Sequence, residues 1–132
     1  MRLMHKIAIS TAVVATAIFM VFIAGPRIAV AIPVENFGQI EIDSWGIVGS
    51  LNAYAEFKRA YVLGRTGKFS VIARTVEGDP IIYTYVNAGI FGLAVGTDNT
   101  QDRFGGLPGL SVRRCFILAE YKTQGGLVPF CL

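Results

Sequence analysis

The stretch KFSVIARTVEGDPIIYTYVNAGIFGLAVG, Lys68 to Gly96, decides the fold. From Lys68 to Val76 the residues alternate, with Phe69, Val71 and Ala73 on one side and Ser70 and Arg74 on the other, which is the period of a half-buried strand. The next four residues read as a tight turn. Gly78 accepts a positive φ, Asp79 can take up backbone N–H groups, and Pro80 sets φ for the returning strand, leaving only Glu77 without a structural duty. That returning strand is Ile81 to Val86. Asn87-Ala88-Gly89 turns the chain again, and Ile90 to Gly96 reads as a third strand, with Phe91, Leu93 and Val95 opposed to Gly92, Ala94 and Gly96. A face of small residues lets a bulky element lie close, so the helix described next is expected against Gly92, Ala94 and Gly96.

Upstream, Gly38 to Val48 suits a first strand. Ser50 or Asn52 can cap a helix running to about Leu63, whose Ala53, Tyr54, Phe57, Ala60 and Tyr61 share one side while Glu56, Lys58 and Arg59 lie off it. Gly64 and Gly67 end it. Downstream, a polar loop from Asp98 to Gly109 leads to a strand from about Leu110 to Tyr121, then a turn at Lys122 to Gly126 and a last strand ending at Leu132. Pro129 has no N–H to give a ladder, so that last strand is expected at a sheet edge. The fold class is α+β: an antiparallel meander of about four to six strands with one helix packed on a face. Residues 32–132 form a single domain, without repeats or low-complexity tracts.

The first 31 residues have a different character. Arg2 and Lys6 precede a run from Ile7 to Gly25 with no charged residue, about 28 Å if helical and so near the hydrocarbon thickness of a bilayer. Pro26 follows, and Ala29-Val30-Ala31 has the small side chains that a signal peptidase pocket admits. Two outcomes are open. Cleavage after Ala31 makes the protein secreted, whereas the length of the apolar run, beyond the ~7–15 residues of ordinary signal peptides, favours an uncleaved anchor with the domain outside. Both expect an extracytoplasmic domain.

That segment also owns the positive charge. Arg2, Lys6 and Arg27 are three of the twelve basic residues, and the remaining nine match nine acidic ones. A balanced domain has no electrostatic case for nucleic acid, and Arg113-Arg114, adjacent in a strand, point to opposite faces. The one histidine is His5. Without histidine the domain cannot assemble a Ser-His-Asp or Cys-His site or a His-ligated zinc, and no cofactor is expected. Cys115 and Cys131 are the only cysteines, and in an oxidising compartment they are expected to pair.

The acidic residues of two loops are the candidates for function. Asp98, Asn99 and Asp102 with Gly105 resemble a calcium loop, but Thr100 and Arg103 stand where the EF-hand pattern requires a ligand and a glycine, so an Asx-type turn is expected. Thr75-x-Glu77-Gly78-Asp79-Pro80-Ile81, Asp98-x-Thr100-x-Asp102-Arg103-Phe104-Gly105, Cys115 and Cys131 together resemble a family of small exported proteins and lipoproteins of Bacillus-type bacteria, classed only as a domain of unknown function. The likeness covers about Trp45 to Cys131. It implies fold and location but no activity. The lipid-anchoring cysteine of many such relatives is missing here, and Gly105-Gly106 and Gly109 lengthen the second loop.

Two functions compete on these residues. The first is a non-catalytic module binding or inhibiting an envelope or secreted partner through Glu77, Gly78, Asp79, Pro80, Asp98, Thr100, Asp102 and Arg103. The second is a small hydrolase drawing an acid and a base from Glu77, Asp79, Asp98 and Asp102. Carboxylates at loop tips are solvated, and raising a carboxyl pKa needs burial, which favours the first.

Overall fold

The computed structural model describes Thr16, Ile18 and residues 33–43, 46–105, 107–123 and 125–132. The expected signal or anchor falls outside these residues, except that Thr16 and Ile18 are helical. Among the described residues no helix is long and apolar enough to cross a membrane.

The domain is α+β, with a mixed six-stranded sheet, a separate two-stranded ribbon and one helix. The expected first strand is in fact a hairpin, β1 (Asn36–Asp43) and β2 (Gly46–Gly49), paired antiparallel with Ile42 opposite Ile47. Gly46, at φ +136°, donates its N–H to Asp43 Oδ1 at 3.0 Å and so closes the hairpin with a conformation that favours glycine. Helix α1 (Leu51–Val62) follows. Ser50 occupies the cap position with extended backbone, yet its side chain makes no capping bond. The far end closes at Gly64 as expected, with φ +69° and Arg65 N–H reaching back to the Ala60 carbonyl at 2.8 Å, whereas Gly67 already begins the next strand and takes no positive φ.

After the helix come β3 (Gly67–Arg74), β4 (Pro80–Asn87), β5 (Leu93–Asp98) and β6 (Leu110–Cys115), and the strand order is β2-β1-β3-β4-β5-β6. β1 and β3 are parallel, with Ile40 beside Val71, which corrects the all-antiparallel expectation. The cause is the hairpin and the helix together: β2 turns the chain back, and the helix, packed on β1, completes the crossover that parallel neighbours need. A second correction concerns Ile90 and Phe91. They lie in a 3-10 turn, Gly89–Phe91, because Gly89 and Gly92 at φ +61° and +79° wind the chain before β5 can start at Leu93.

Residues opposite one another in adjacent strands share a face, so one face of the sheet carries Ile40, Phe69, Val71, Tyr85, Leu93 and Val95. The helix lies on this face. Ala53, Tyr54 and Phe57 join the same buried cluster, with the Phe57 and Phe69 rings stacked at 5.9 Å. The expectation that the helix would cover Ala94 and Gly96 is therefore overturned. Burying Phe69, Val71 and Val95 removes more apolar surface from water than burying small residues would, at about 25 cal/mol per Å². Ala94 is still fully buried, in a second cluster with Val86, Ala88, Val34 and Phe91 on the opposite face.

One helix covers only part of a six-stranded sheet, and α1 rests on β1 and β3. The remainder is covered by a device the sequence reading did not contain. The expected strand from Leu110 to Tyr121 breaks at Phe116-Ile117, and the chain leaves the sheet as a ribbon of β7 (Leu118–Thr123) and β8 (Gly126–Cys131). The last strand is thus an edge, as Pro129 requires, but of the two-stranded ribbon and not of the main sheet. Pro129 sits opposite Glu120, and its carbonyl accepts a 2.9 Å hydrogen bond from Tyr85 Oη. Burial pushes the Tyr85 hydroxyl pKa up to about 12.

Two links tie the ribbon down. Tyr54 of the helix donates to Glu120 Oε1 at 2.5 Å, and Lys58 pairs with the same oxygen at 2.8 Å. Lys58 and Tyr54, in that order, hold the Glu120 carboxyl below its ordinary range. The second link is the Cys115–Cys131 disulfide, with Cα atoms 5.2 Å apart, joining the ends of β6 and β8.

Replacing both cysteines by serine is expected to cost about 3 kcal/mol in denaturant unfolding, the loop-closure value for a link of this span. Amide exchange should rise first across the ribbon, residues 118–131, while β3 and β4 stay protected. Equal loss of protection in sheet and ribbon would show that the bond does not act as a local staple.

Candidate functional site

β1 and β3 finish at the same end of the sheet at which β4 begins, β5 ends and β6 begins. The EGDP turn and the loop from Asn99 to Gly109 therefore stand side by side.

The turn is built as the residue types dictate. Gly78 has φ +88° and donates to the Thr75 carbonyl at 2.9 Å, Thr75 N–H donates to the Asp79 carbonyl at 2.9 Å, and Asp79 N–H reaches Thr75 Oγ1 at 3.1 Å. Arg74 braces the turn, donating from Nη1 to the Gly78 carbonyl at 3.0 Å while its Nε meets Glu41 Oε1. Pro80 opens β4 opposite Arg74. Glu77 is exposed.

The second loop turns its carboxylates inward. Asp98 Oδ1 accepts from Thr100 N–H at 2.9 Å and Thr100 Oγ1 at 2.7 Å, which holds its carboxyl below the ordinary range, the hydroxyl contributing most. Asp102, only 8% exposed, accepts at Oδ1 from the N–H groups of Phe104 at 3.1 Å and Gly105 at 2.8 Å. A Cβ on Gly105 would lie 1.7 Å from Asp102 Oδ2, so the carboxylate occupies the space a side chain would need. Asn99 closes the base, with Gly109 N–H donating to its Oδ1 at 2.7 Å. The Asx-type reading fits these bonds. Among the described residues, no group of three potential ligands is placed to hold a metal ion.

Asp79 does more than turn the chain. Its carboxylate is almost wholly covered, and it takes Arg103 from three directions: Oδ2 from the backbone N–H at 3.1 Å and from Nε at 3.4 Å, Oδ1 from Nη2 at 3.1 Å. The guanidinium, followed by the backbone N–H, holds the Asp79 carboxyl below its ordinary range. A carboxylate gripped by a fork and a backbone amide fixes orientation as well as distance. This clamp locks two loops that are 24 residues apart in the chain.

The clamped surface shows solvent apolar side chains as well as charge. Val76, Phe104 and Leu107 are exposed by 103, 71 and 94%. Arg103 reaches over Phe104 with its guanidinium carbon 6.0 Å from the ring centre. A groove of about 430 Å³ runs between the end of β1 and the turn, lined by Ile42, Asp43, Ala73, Arg74, Val76 and Gly78. Sequence reasoning named the acids of these loops and passed over the apolar residues. For Phe104 the signal was there, since it stands between Arg103 and Gly105 in a polar loop, whereas Val76 closes the expected strand and only the early end of that strand at Arg74 exposes it. A second cleft, about 290 Å³, lies under the ribbon among Tyr83, Tyr85, Arg113, Tyr121, Val128 and Phe130. It depends on the ribbon crossing and had no counterpart in the sequence reading.

No family model matches the chain, and neither a curated protein nor a solved structure matches it.

Two outcomes are expected. Gly78→Val forces a β-branched residue to positive φ and should cost about 1–3 kcal/mol in stability, whereas Glu77→Gln should leave the unfolding midpoint unchanged. Asp79→Asn should act through pH. A folded carboxyl pKa below the unfolded value of 3.8 stabilises fully above that value and loses its effect as pH falls through the folded pKa. The variant should melt earlier than the parent at about pH 7 and converge with it in strong acid, and a gap independent of pH would contradict the clamp.

Proposed function

We propose that this protein is a non-catalytic binding module working outside the cytoplasm, and that the joined EGDP and DRFG loops are the surface that meets a protein partner. The observation that carries the reading is the Asp79–Arg103 clamp, which holds Val76, Phe104 and Leu107 in solvent on a braced framework. Ordering such loops before contact lowers the entropy lost on binding, and an aromatic beside an arginine is the usual composition of an energetic hot spot. The groove beside Val76 offers room for a partner side chain.

Binding is favoured over hydrolysis by where the carboxylates are spent. Asp79 is engaged with Arg103, Asp98 with Thr100 and Asp102 with the Phe104 and Gly105 amides. Asp79 and Asp98 are both held in their charged form, which is opposite to what a general acid requires. Location outside the cytoplasm draws support from the Cys115–Cys131 disulfide, a bond that persists in oxidising compartments. The loops also carry the likeness to the exported family of unknown function, whose membership forms part of the proposal.

A photo-crosslinking residue placed at Phe104 in the native host should capture a protein that the same residue at Tyr121, exposed on the ribbon, does not. Combined Val76→Ser and Phe104→Ser, at positions where surface changes shift stability by no more than ~0.5 kcal/mol, should abolish retention of that protein with the melting temperature unchanged. Equal capture at the two positions defeats the proposal. So does hydrolysis by the purified chain that disappears on Asp79→Asn or Asp98→Asn.

A further inference from the structure

The end of the sheet opposite the clamped loops is where the chain enters the domain. β1 starts there at Asn36, beside Lys68 at the start of β3, and register then carries that level across Asn87, Leu93 and Cys115. The connections at this end hold an unusual set of side chains. Val62 and Leu63 close the helix, Ile90 tops the 3-10 turn, Phe116 and Ile117 form the passage from β6 to β7, and Leu132 pairs through its backbone with that passage. All six are exposed: Val62 74%, Leu63 61%, Ile90 90%, Phe116 68%, Ile117 59% and Leu132 63%. Six large apolar side chains thus stand in solvent on the connections at one end of the sheet, and exposed apolar surface beyond scattered single residues marks a contact surface.

The sequence limits what can lie against it. The uncharged run from Ile7 to Gly25 leads into this end, and eight Cα steps separate Gly25 from Pro33, which at full extension span at most about 28 Å. Whatever holds that run holds the base of the domain close by. We infer that this end rests on a lipid surface, with Ile90, Phe116 and Ile117 entering the headgroup layer beside the N-terminal segment. Charge agrees with shallow insertion. Arg59, Arg65 and Lys68 stand around the same end as Glu35 and Glu56, with Arg65 paired to Glu35, so attraction to anionic headgroups is secondary to the burial of apolar surface. Seating the base on the bilayer sends the EGDP and DRFG loops outward, about 26 Å away along eight-residue strands. The inference does not rest on the loops having a partner.

The test uses the full chain reconstituted into phosphatidylcholine vesicles, with or without brominated acyl chains, the parent chain supplying the Trp45 background. Tryptophan introduced by Ile117→Trp, and separately by Ile90→Trp, should lose most of its fluorescence to the brominated lipid, and should do so equally in high salt. Tryptophan introduced by Phe104→Trp should lose none. Failure of the chain to associate with vesicles overturns the inference, as does quenching at 104 that equals or exceeds quenching at 117 and 90. A blue shift at 117 that depends on protein concentration and not on lipid assigns the patch to a second copy and overturns it too. None of these readings uses the crosslinked partner of the loops, so the two proposals fail separately.

Discussion

The closure between Cys115 and Cys131 is the constraint on which the rest of the structure depends. The larger apolar face of the six-stranded sheet needs more cover than a helix of twelve residues can supply, since such a helix is only about 18 Å long. The ribbon of β7 and β8 supplies what is missing. Two strands by themselves are marginal in water, so the ribbon needs anchors at both ends. The disulfide fixes one end to β6. The other end reaches the start of β2, where a Cβ on Gly125 would lie 2.6 Å from Ile47 N, an approach that leaves no room for a side chain. Tyr54 and Lys58 on Glu120 join the ribbon to the helix between these points.

With the apolar face closed in this way, the two ends of the sheet are free to differ. At one end polar side chains are consumed in bonds among themselves: Asp98 with Thr100, Asp102 with its own loop, Asp79 with Arg103. This self-satisfaction makes the loops definite in shape. At the other end the connections are short and carry apolar residues that nothing in the domain buries. The two ends therefore differ in how they are built, since the exposed Val76, Phe104 and Leu107 stand on braced polar loops at one end while apolar side chains occupy the short connections at the other. The chain enters at the end of the short connections.

The clamp between Asp79 and Arg103 shows how a surface pair can matter without contributing much to stability. Arg103 is largely in solvent, where an ion pair is screened and costs side-chain entropy to hold. Its value is positional. The backbone N–H of Arg103 and its guanidinium converge on one carboxylate, so the second loop cannot slide along the first. Phe104 and Val76 are placed by that restraint, in the way binding residues on loops are placed by rigid supports elsewhere.

By itself the sequence determined what local chemistry determines. Alternation drew β3 and β4 to within two residues at each end. Gly78 and Pro80 marked the turn between them, the stripe of Ala53, Tyr54, Phe57 and Ala60 marked the helix, and the cysteine count marked the disulfide. Only the tertiary structure decided the rest, because it turns on which surfaces meet. Alternation shows that Val95 and Ala94 face opposite ways, but which of them lies toward the helix depends on the area each face can bury. Parallel pairing of β1 with β3 follows from the path of the hairpin and the helix together, and the break at Phe116 follows from apolar area that one helix leaves uncovered. Asp79 was legible as a turn residue and illegible as a clamp, since its partner lies 24 residues away and the bond exists only after both loops reach one end of the sheet.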